Sequence, residues 1–290
     1  MSDNDYMAAA TPPLLLCLEL TGRCQLACRH CYAESSPTGT HGSMTSADWV
    51  HVLDEAAAWG VRVVQFIGGE PTLHPALPEL VDHALSRALA VEVFTNLVHV
   101  TATLWSLFEQ PGVSLATSYY SDEPDQHAAI TGRPSYARTK ANIAEAVRRG
   151  IPLRAGVIDV GDGQHAQQAI DELGALGVQN VGYDRLRQVG RGVRDQQPSA
   201  AQLCGQCGDG VAAISPDGSV WPCVFSRWMP IGDVRRQPLA EIIAGLPAAR
   251  TTLAAAGMPV GSGAAARCEP QCAPRGSECY PYNCPPFRHG

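Results

Sequence analysis

The chain has 290 residues, 45% of them hydrophobic, and a formal net charge of −7. That length suits one barrel-like body with a small appendix, and the acidic balance argues against a nucleic-acid partner, which asks for a basic face. No run of about 18 apolar residues occurs, so no membrane span is expected. The N-terminus has acidic residues and no basic region before its short apolar run; it does not read as a signal peptide, and a cytoplasmic protein is expected.

After a flexible N-terminus at residues 1–13, short apolar runs read as strands at residues 14–20, 61–67, 91–95, 113–117, 153–158 and 181–184. Between them lie amphipathic patterns at residues 47–59, 76–89, 103–110, 136–149 and 165–176. The first of these has Thr45 or Ser46 as N-cap and Gly60 as its stop. Strand and helix in alternation predict parallel strands with right-handed crossovers. Six units are too few for a closed eight-unit barrel, so the pattern alone allows an open partial barrel or a doubly wound sheet. Either one gathers ligands at the C-terminal strand ends. This body covers residues 14–195. In residues 196–290 Gly, Pro and Cys rise. The runs 211–214 and 220–221 flank Pro216-Asp217-Gly218, a hairpin signal, and a helix follows at 239–246. Residues 268–290 are too irregular to pack alone and ask for a metal staple.

The eleven cysteines fall into two groups, Cys24, Cys28, Cys31 and Cys204, Cys207, Cys223, Cys268, Cys272, Cys279, Cys284, with Cys17 apart in an apolar run as a buried strand thiol. In a reducing compartment such density points to metal rather than disulfides. Three thiolates in the loop after the first strand can wrap one cubane cluster and leave one iron without a protein ligand. Zinc would want four ligands, and His30, next to Cys31, is an awkward fourth.

Cys24-x3-Cys28-x2-Cys31 resembles the signature of the radical S-adenosylmethionine (SAM) superfamily. The resemblance implies an α/β fold, a partial (β/α)6 TIM-like barrel. It also implies a [4Fe-4S] cluster whose free iron chelates the amino and carboxyl groups of SAM. One electron then splits SAM to methionine and a 5′-deoxyadenosyl radical that takes hydrogen from an unactivated C–H bond; the cofactor carries this chemistry and the protein positions it. His30 occupies the usually aromatic position that helps place the adenine. Gly68-Gly69-Glu70-Pro71 is similar to the family's Gly-Gly-Glu-Pro motif, in which two glycines admit close backbone approach and carbonyls accept from the SAM ammonium; Glu70 is a further contact. Read for itself, the run is a turn with Pro at a helix start. Thr95-Asn96 resembles a Thr-Asn-Gly motif, with Leu97 in place of the glycine. Ser118 matches a serine that relatives place against the ribose, with Tyr119 and Asp122 as substrate-facing residues. Arg154, or else Arg133 or Arg138, would meet the SAM carboxylate bidentately; a structural ion pair is the plain alternative. Tyr119, Asp122, His127, Tyr183 and Asp184 all fall near strand ends, and none is singled out as general acid or base.

The segment from Cys207 through the hairpin to Cys223, with Ile231-Gly232-Asp233-Val234 after it, resembles the opening of a SPASM or twitch domain. Cys268-x3-Cys272-x6-Cys279-x4-Cys284 resembles its closing run, with each gap one residue longer than usual. Seven thiolates imply two auxiliary [4Fe-4S] clusters with one open iron, or one cluster with spare thiols; structural zinc and disulfides are the other readings. A natural split puts Cys204, Cys207, Cys223 and Cys284 on one cluster and Cys268, Cys272 and Cys279 on the other. SPASM domains occur largely in enzymes that modify peptides. The resemblance therefore implies a radical SAM oxidoreductase that crosslinks, epimerises or oxidises a ribosomally made peptide. The alternative is dehydrogenation or rearrangement of a small metabolite such as a sugar or cyclitol, and a non-catalytic iron–sulfur or zinc scaffold is the third reading. The expected partners are the peptide, a separate leader-binding protein, since about a dozen residues precede the first strand, and a reductant such as flavodoxin or ferredoxin.

Overall fold

The computed structural model describes residues 15–161 and 163–260. Its first strand, β1 (Leu15–Thr21), is followed by β2 (Val63–Gly68), β3 (Ala90–Phe94), β4 (Val113–Tyr119), β5 (Leu153–Asp159) and β6 (Asn180–Arg185). All six run parallel, and each lies beside its predecessor. This sequential order decides between the two folds the pattern allowed. A doubly wound sheet reverses direction at a switch point; here every crossover moves the chain the same way, as in a barrel. The crossover helices are α1 (Ser46–Trp59), α2 (Leu77–Ser86), α3 (Ala102–Phe108), α4 (Pro124–Thr131), α5 (Tyr136–Arg148) and α6 (Ala166–Ala175).

The two faces of the strands separate by chemistry. Leu16, Leu18 and Leu20 of β1, Val64 and Phe66 of β2 and Val91 and Val93 of β3 pack with Trp49, Leu53, Leu77, Leu80 and Phe108 from the helices in the main core. The alternate residues carry polar groups. Arg154 of β5 donates to both carboxylate oxygens of Glu92 on β3 at 2.7 Å, and Gln65 of β2 donates to Glu92 at 2.5 Å. Side chains two strands apart thus meet on one face, as a curved sheet requires. The Arg154 guanidinium holds the buried Glu92 carboxyl below the usual range, overcoming the upward push of burial.

Local signals explain the element ends. Thr45 caps α1 by accepting from the Asp48 amide at 3.2 Å, while the Asp48 carboxylate accepts from the Thr45 amide at 2.8 Å: a reciprocal capping box. Gly60 closes the helix at φ 91°. Two helices differ from expectation. Helix α4 has no counterpart in the sequence pattern, because its eight residues hold too little apolar periodicity; Pro124 starts it and Gly132 ends it at φ 72°. The single helix expected at 239–246 is α7 (Leu239–Ala244) followed by α8 (Leu246–Ala255), with Gly245 between them.

Beyond β6 the chain does not leave the sheet. β7 (Val211–Ile214) pairs in parallel with the free edge of β1, from Leu15↔Val211 to Leu18↔Ile214. β8 (Ser219–Trp221) returns antiparallel to it, and β9 (Gly232–Asp233) completes nine strands in the order β6-β5-β4-β3-β2-β1-β7-β8-β9. The hairpin turns at Pro216-Asp217-Gly218, with Gly218 at φ 91°. It docks on the loop before α1, where the Ser43 and Met44 amides donate to the Pro216 carbonyl at 3.1 and 3.0 Å. Cys17 is buried on β1, as expected, beside Cys207 and Cys223 in a second apolar cluster. Among the described residues no helix is long and apolar enough to cross a membrane.

Removing the cap tests the weight of the α1 start. Thr45→Ala is expected to lower stability by about 1 kcal/mol, read as a lower urea midpoint at unchanged slope. An unmoved midpoint would show that the box adds nothing.

Candidate active site

The cysteine loop leaves the C-terminal end of β1 and is held at its backbone from three sides. From the β2 end, the Gly69 amide donates to the Thr21 carbonyl at 2.6 Å and the Glu70 amide to Arg23 at 2.9 Å. At the end of α4, the amides of Ala27 and Arg29 donate to the Thr131 and Ile130 carbonyls, each at 3.0 Å. From beyond β6, the Arg191 amide donates to the Cys31 carbonyl at 3.1 Å, and its guanidinium donates to Cys28 O at 2.9 Å and Ser35 O at 2.7 Å. Glycine stands at all three contacts because nothing larger fits. A Cβ on Gly69 would lie 2.3 Å from Arg23 O, on Gly132 2.7 Å from Ala27 O, and on Gly190 2.4 Å from Tyr32 O.

So held, Cys24, Cys28 and Cys31 line one cavity of about 1060 Å³, its open mouth included, together with His30, Gly68, Gly69, Asn96 and Ser118. The donor set fits an iron–sulfur cluster better than a single ion. All three donors are cysteine thiols, the ligand type of such clusters, and they stand together in the lining of one cavity. The Cys24 sulfur accepts from the Leu26 amide at 3.4 Å and from Asn96 Nδ2 at 3.7 Å. Without metal, burial and the nearby Glu70 charge push the Cys24 thiol up to about 12, and burial with the neighbouring Cys31 also raises Cys28. Metal binding at these thiols would release protons.

The other expected residues divide. Asn96 faces the cavity and exchanges side-chain hydrogen bonds with Gln25 at 3.0 and 3.2 Å. Leu97, where the motif has glycine, still adopts the left-handed φ of 53°, a conformation that costs a non-glycine residue energy. The Asn142 side chain secures it by donating to the Leu97 carbonyl at 2.7 Å. His30 lines the cavity with Nε2 3.2 Å from the Tyr120 hydroxyl, while its Nδ1 is buried with no hydrogen-bond partner. Burial pushes the imidazole down to about 4, so it is neutral. Glu70 does not reach the cavity. It is fully buried and accepts from Thr72 N and Oγ1, Thr95 Oγ1 and Asn96 N at 2.7–3.2 Å, which knots the end of β2 to that of β3. Arg154 also stands outside the cavity, because Glu92 engages its guanidinium; Arg133 and Arg138 do not line it either.

Strand alternation corrects the choice of Tyr119. Ser118 and Tyr120 face the cavity, whereas Tyr119 points to the helices and donates to Glu172 at 2.5 Å. Counting in twos from Ser118 would have found Tyr120. Asp122 meets His165 at 3.3 Å, Tyr183 donates to Asp159 at 2.6 Å, and buried Asp184 pairs with Arg187 at 2.9 Å. Of these candidates His127 alone lines the cavity; its Nδ1 has no partner, and burial lowers its imidazole to about 4. Arg185, Arg187 and Arg191 line the cavity too and were not foreseen. Arg185 ends β6, and no periodicity marks Arg187 and Arg191, which lie in the irregular segment after it.

The C-terminal hairpin closes one wall with Val224 and Phe225. The sulfurs of Cys207 and Cys223 approach to 2.7 Å. Cys268, Cys272, Cys279 and Cys284 lie outside the described residues.

Comparison with known proteins agrees with this arrangement. The family model described as the radical SAM superfamily matches residues 18–173, and that of the SPASM iron–sulfur cluster-binding domain matches residues 204–273. The chain is 30% identical over 270 residues to the PqqA peptide cyclase of Xanthomonas oryzae pv. oryzae, covering 83% of this chain and 72% of the relative. It is 36% identical over 146 residues to that of Ruegeria pomeroyi, covering 49% and 38%. Streptococcus suis SuiB bound to its precursor peptide SuiA superimposes with a TM-score of 0.68 at 13% identity over 80% of this chain, which spans 65% of the SuiB chain. The structure titled native anSMEcpe, with bound AdoMet and Cp18Cys peptide, gives 0.61 at 13% identity over 80% of each chain. At such identities the structures show the shared fold.

The glycine contacts give a direct test. Gly69→Ala is expected to displace the cysteine loop and remove the first cluster's share of the iron bound after anaerobic reconstitution, with far-UV circular dichroism unchanged. Gly174→Ala, in α6 with open space around its Cβ, should leave iron content at the wild-type level. Equal iron in both variants would refute the packing account.

Proposed function

This chain belongs to the radical SAM superfamily and carries a SPASM domain, and on that premise we propose that it modifies a ribosomally made peptide by crosslinking, epimerising or oxidising a residue. The observation that carries the reading is the shared cavity: Cys24, Cys28, Cys31 and the glycines of the β2 turn line one side, and Val224 and Phe225 of the SPASM hairpin line another. The names of relatives support the peptide as substrate, since the sequence relatives are called peptide cyclases and SuiB is bound to a precursor peptide.

Cys24, Cys28 and Cys31 would hold the SAM-binding [4Fe-4S] cluster. Once bound, the cluster and SAM supply the 5′-deoxyadenosyl radical that removes hydrogen from the substrate. The chain's own residues do the positioning. Asn96 and the Leu26 amide orient the Cys24 sulfur. Gly68 and Gly69 leave backbone open to a ligand at the β2 end, and His30 and Ser118 form the wall where the resemblance places adenine and ribose. Arg191 fixes the carbonyls of Cys28 and Ser35, so the loop is set before any ligand enters. Ile67, Phe94, Ile158, Leu186, Val224 and Phe225 supply apolar lining that keeps water from a reactive carbon centre. Cys204, Cys207 and Cys223 would hold an auxiliary cluster with a ligand from the last cysteine run. A flavodoxin or ferredoxin would deliver the electron.

Reconstituted enzyme with dithionite and SAM is expected to form 5′-deoxyadenosine, and Cys28→Ala to form none. With a short peptide encoded beside the gene, high-resolution mass spectrometry should show a mass change that needs both SAM and Cys28. SAM cleavage with no such peptide altered would count against the peptide and leave the radical chemistry standing.

A further inference from the structure

Glu19 is a buried carboxylate on β1 that the site described above does not use. It is 1% exposed, and its two oxygens accept from Arg227 Nη1 at 2.7 and 2.9 Å. Arg227 belongs to the loop after Cys223. Its guanidinium lies 4.3 Å from the ring centre of Trp221, just before Cys223, and 5.8 Å from that of Tyr32, just after Cys31. Tyr32 in turn meets Phe225 edge-on, with ring centres 5.2 Å apart. One ion pair and three aromatic rings therefore fill the space between the two cysteine loops.

Stability alone does not account for the pair. Burying two charges carries a desolvation cost that their attraction only roughly offsets, and apolar side chains of similar volume pack as stably. A guanidinium clamped by a carboxylate and two ring faces provides something apolar side chains cannot: a fixed, oriented positive charge. Through Tyr32, the residue after Cys31, that charge is set beside the first cysteine loop, with Glu19 on its other side.

The geometry points to Arg227 as a positioning residue for the cluster at Cys24, Cys28 and Cys31: the SPASM hairpin lends that cluster a fixed cation that raises its reduction potential, and Glu19 sets how much of the charge it feels. The inference rests on the radical SAM reading of the first cysteine loop. Its physical basis is that one-electron reduction adds a negative charge to the cluster, which a nearby cation stabilises more strongly in a low-dielectric surround.

The test is a reductive titration of the anaerobically reconstituted full chain, followed by electron paramagnetic resonance. The relevant cluster is the one whose spectrum changes when SAM is added. Glu19→Gln keeps the shape and uncovers the cation, so the midpoint should move to more positive potential. Arg227→Met should move it to more negative potential, and Arg227→Lys should recover most of the wild-type value. Opposite signs are the signature, because a packing defect would move both variants one way or lower the cluster content of both. Midpoints that stay put, or move in the same direction, overturn the inference while leaving the functional reading intact. A wild-type chain with no SAM-responsive spectrum overturns both.

Discussion

The backbone of the cysteine loop is packed so closely against three other backbones that the rest of the site depends on it. A cysteine side chain is short, so the direction of each thiolate follows from where its Cα is held. Here the β2 turn, the end of α4 and the segment beyond β6 each bond the loop, and each meets it with a glycine that has no room for a Cβ. The three elements come from widely separated parts of the chain, and the barrel order brings their ends together at one mouth. The course of the cysteine loop is thereby fixed by hydrogen bonds and steric exclusion.

The same barrel separates two kinds of chemistry on alternate residues of each strand. Leucine, valine and phenylalanine face the helices and make the core, while Glu19, Gln65, Glu92, Arg154 and Ser118 occupy the other face. An apolar interior would have served stability as well. The polar one carries the Gln65–Glu92–Arg154 network and the Glu19–Arg227 pair. It also reaches the second cysteine group, because β7 is hydrogen-bonded to β1 and the SPASM hairpin continues the barrel sheet. That pairing sets the two cysteine loops against one another across Tyr32 and Phe225.

Much of this was legible in the residues. The six strands and the α1 boundaries lie near where periodicity and capping put them, and Cys24, Cys28, Cys31, Gly68 and Gly69 line one cavity. Two misses have local causes. Helix α4 is short and weakly amphipathic, so the 3.6-residue signal had too few turns in which to show. Tyr119 was preferred to Tyr120 although the two-residue repeat from Ser118 points to the latter. Leu97 looked like a departure from the glycine pattern, yet it keeps the left-handed conformation because Asn142 and its burial hold it there.

By itself the chain determined what depends on neighbours in sequence: strand and helix periods, caps, turns, the cysteine triplet and the glycines beside it. Only the tertiary structure decided which charges meet. Arg154 answers Glu92 across 62 residues, Arg191 reaches Cys28 across 163, and Arg227 reaches Glu19 across 208. Such pairs leave no mark in a linear pattern, because a side chain's partner is set by the curvature and order of the sheet. Arg154 was therefore a candidate for the ligand in sequence and is a strut in the barrel, whereas Arg191 drew no notice in sequence and lines the cavity.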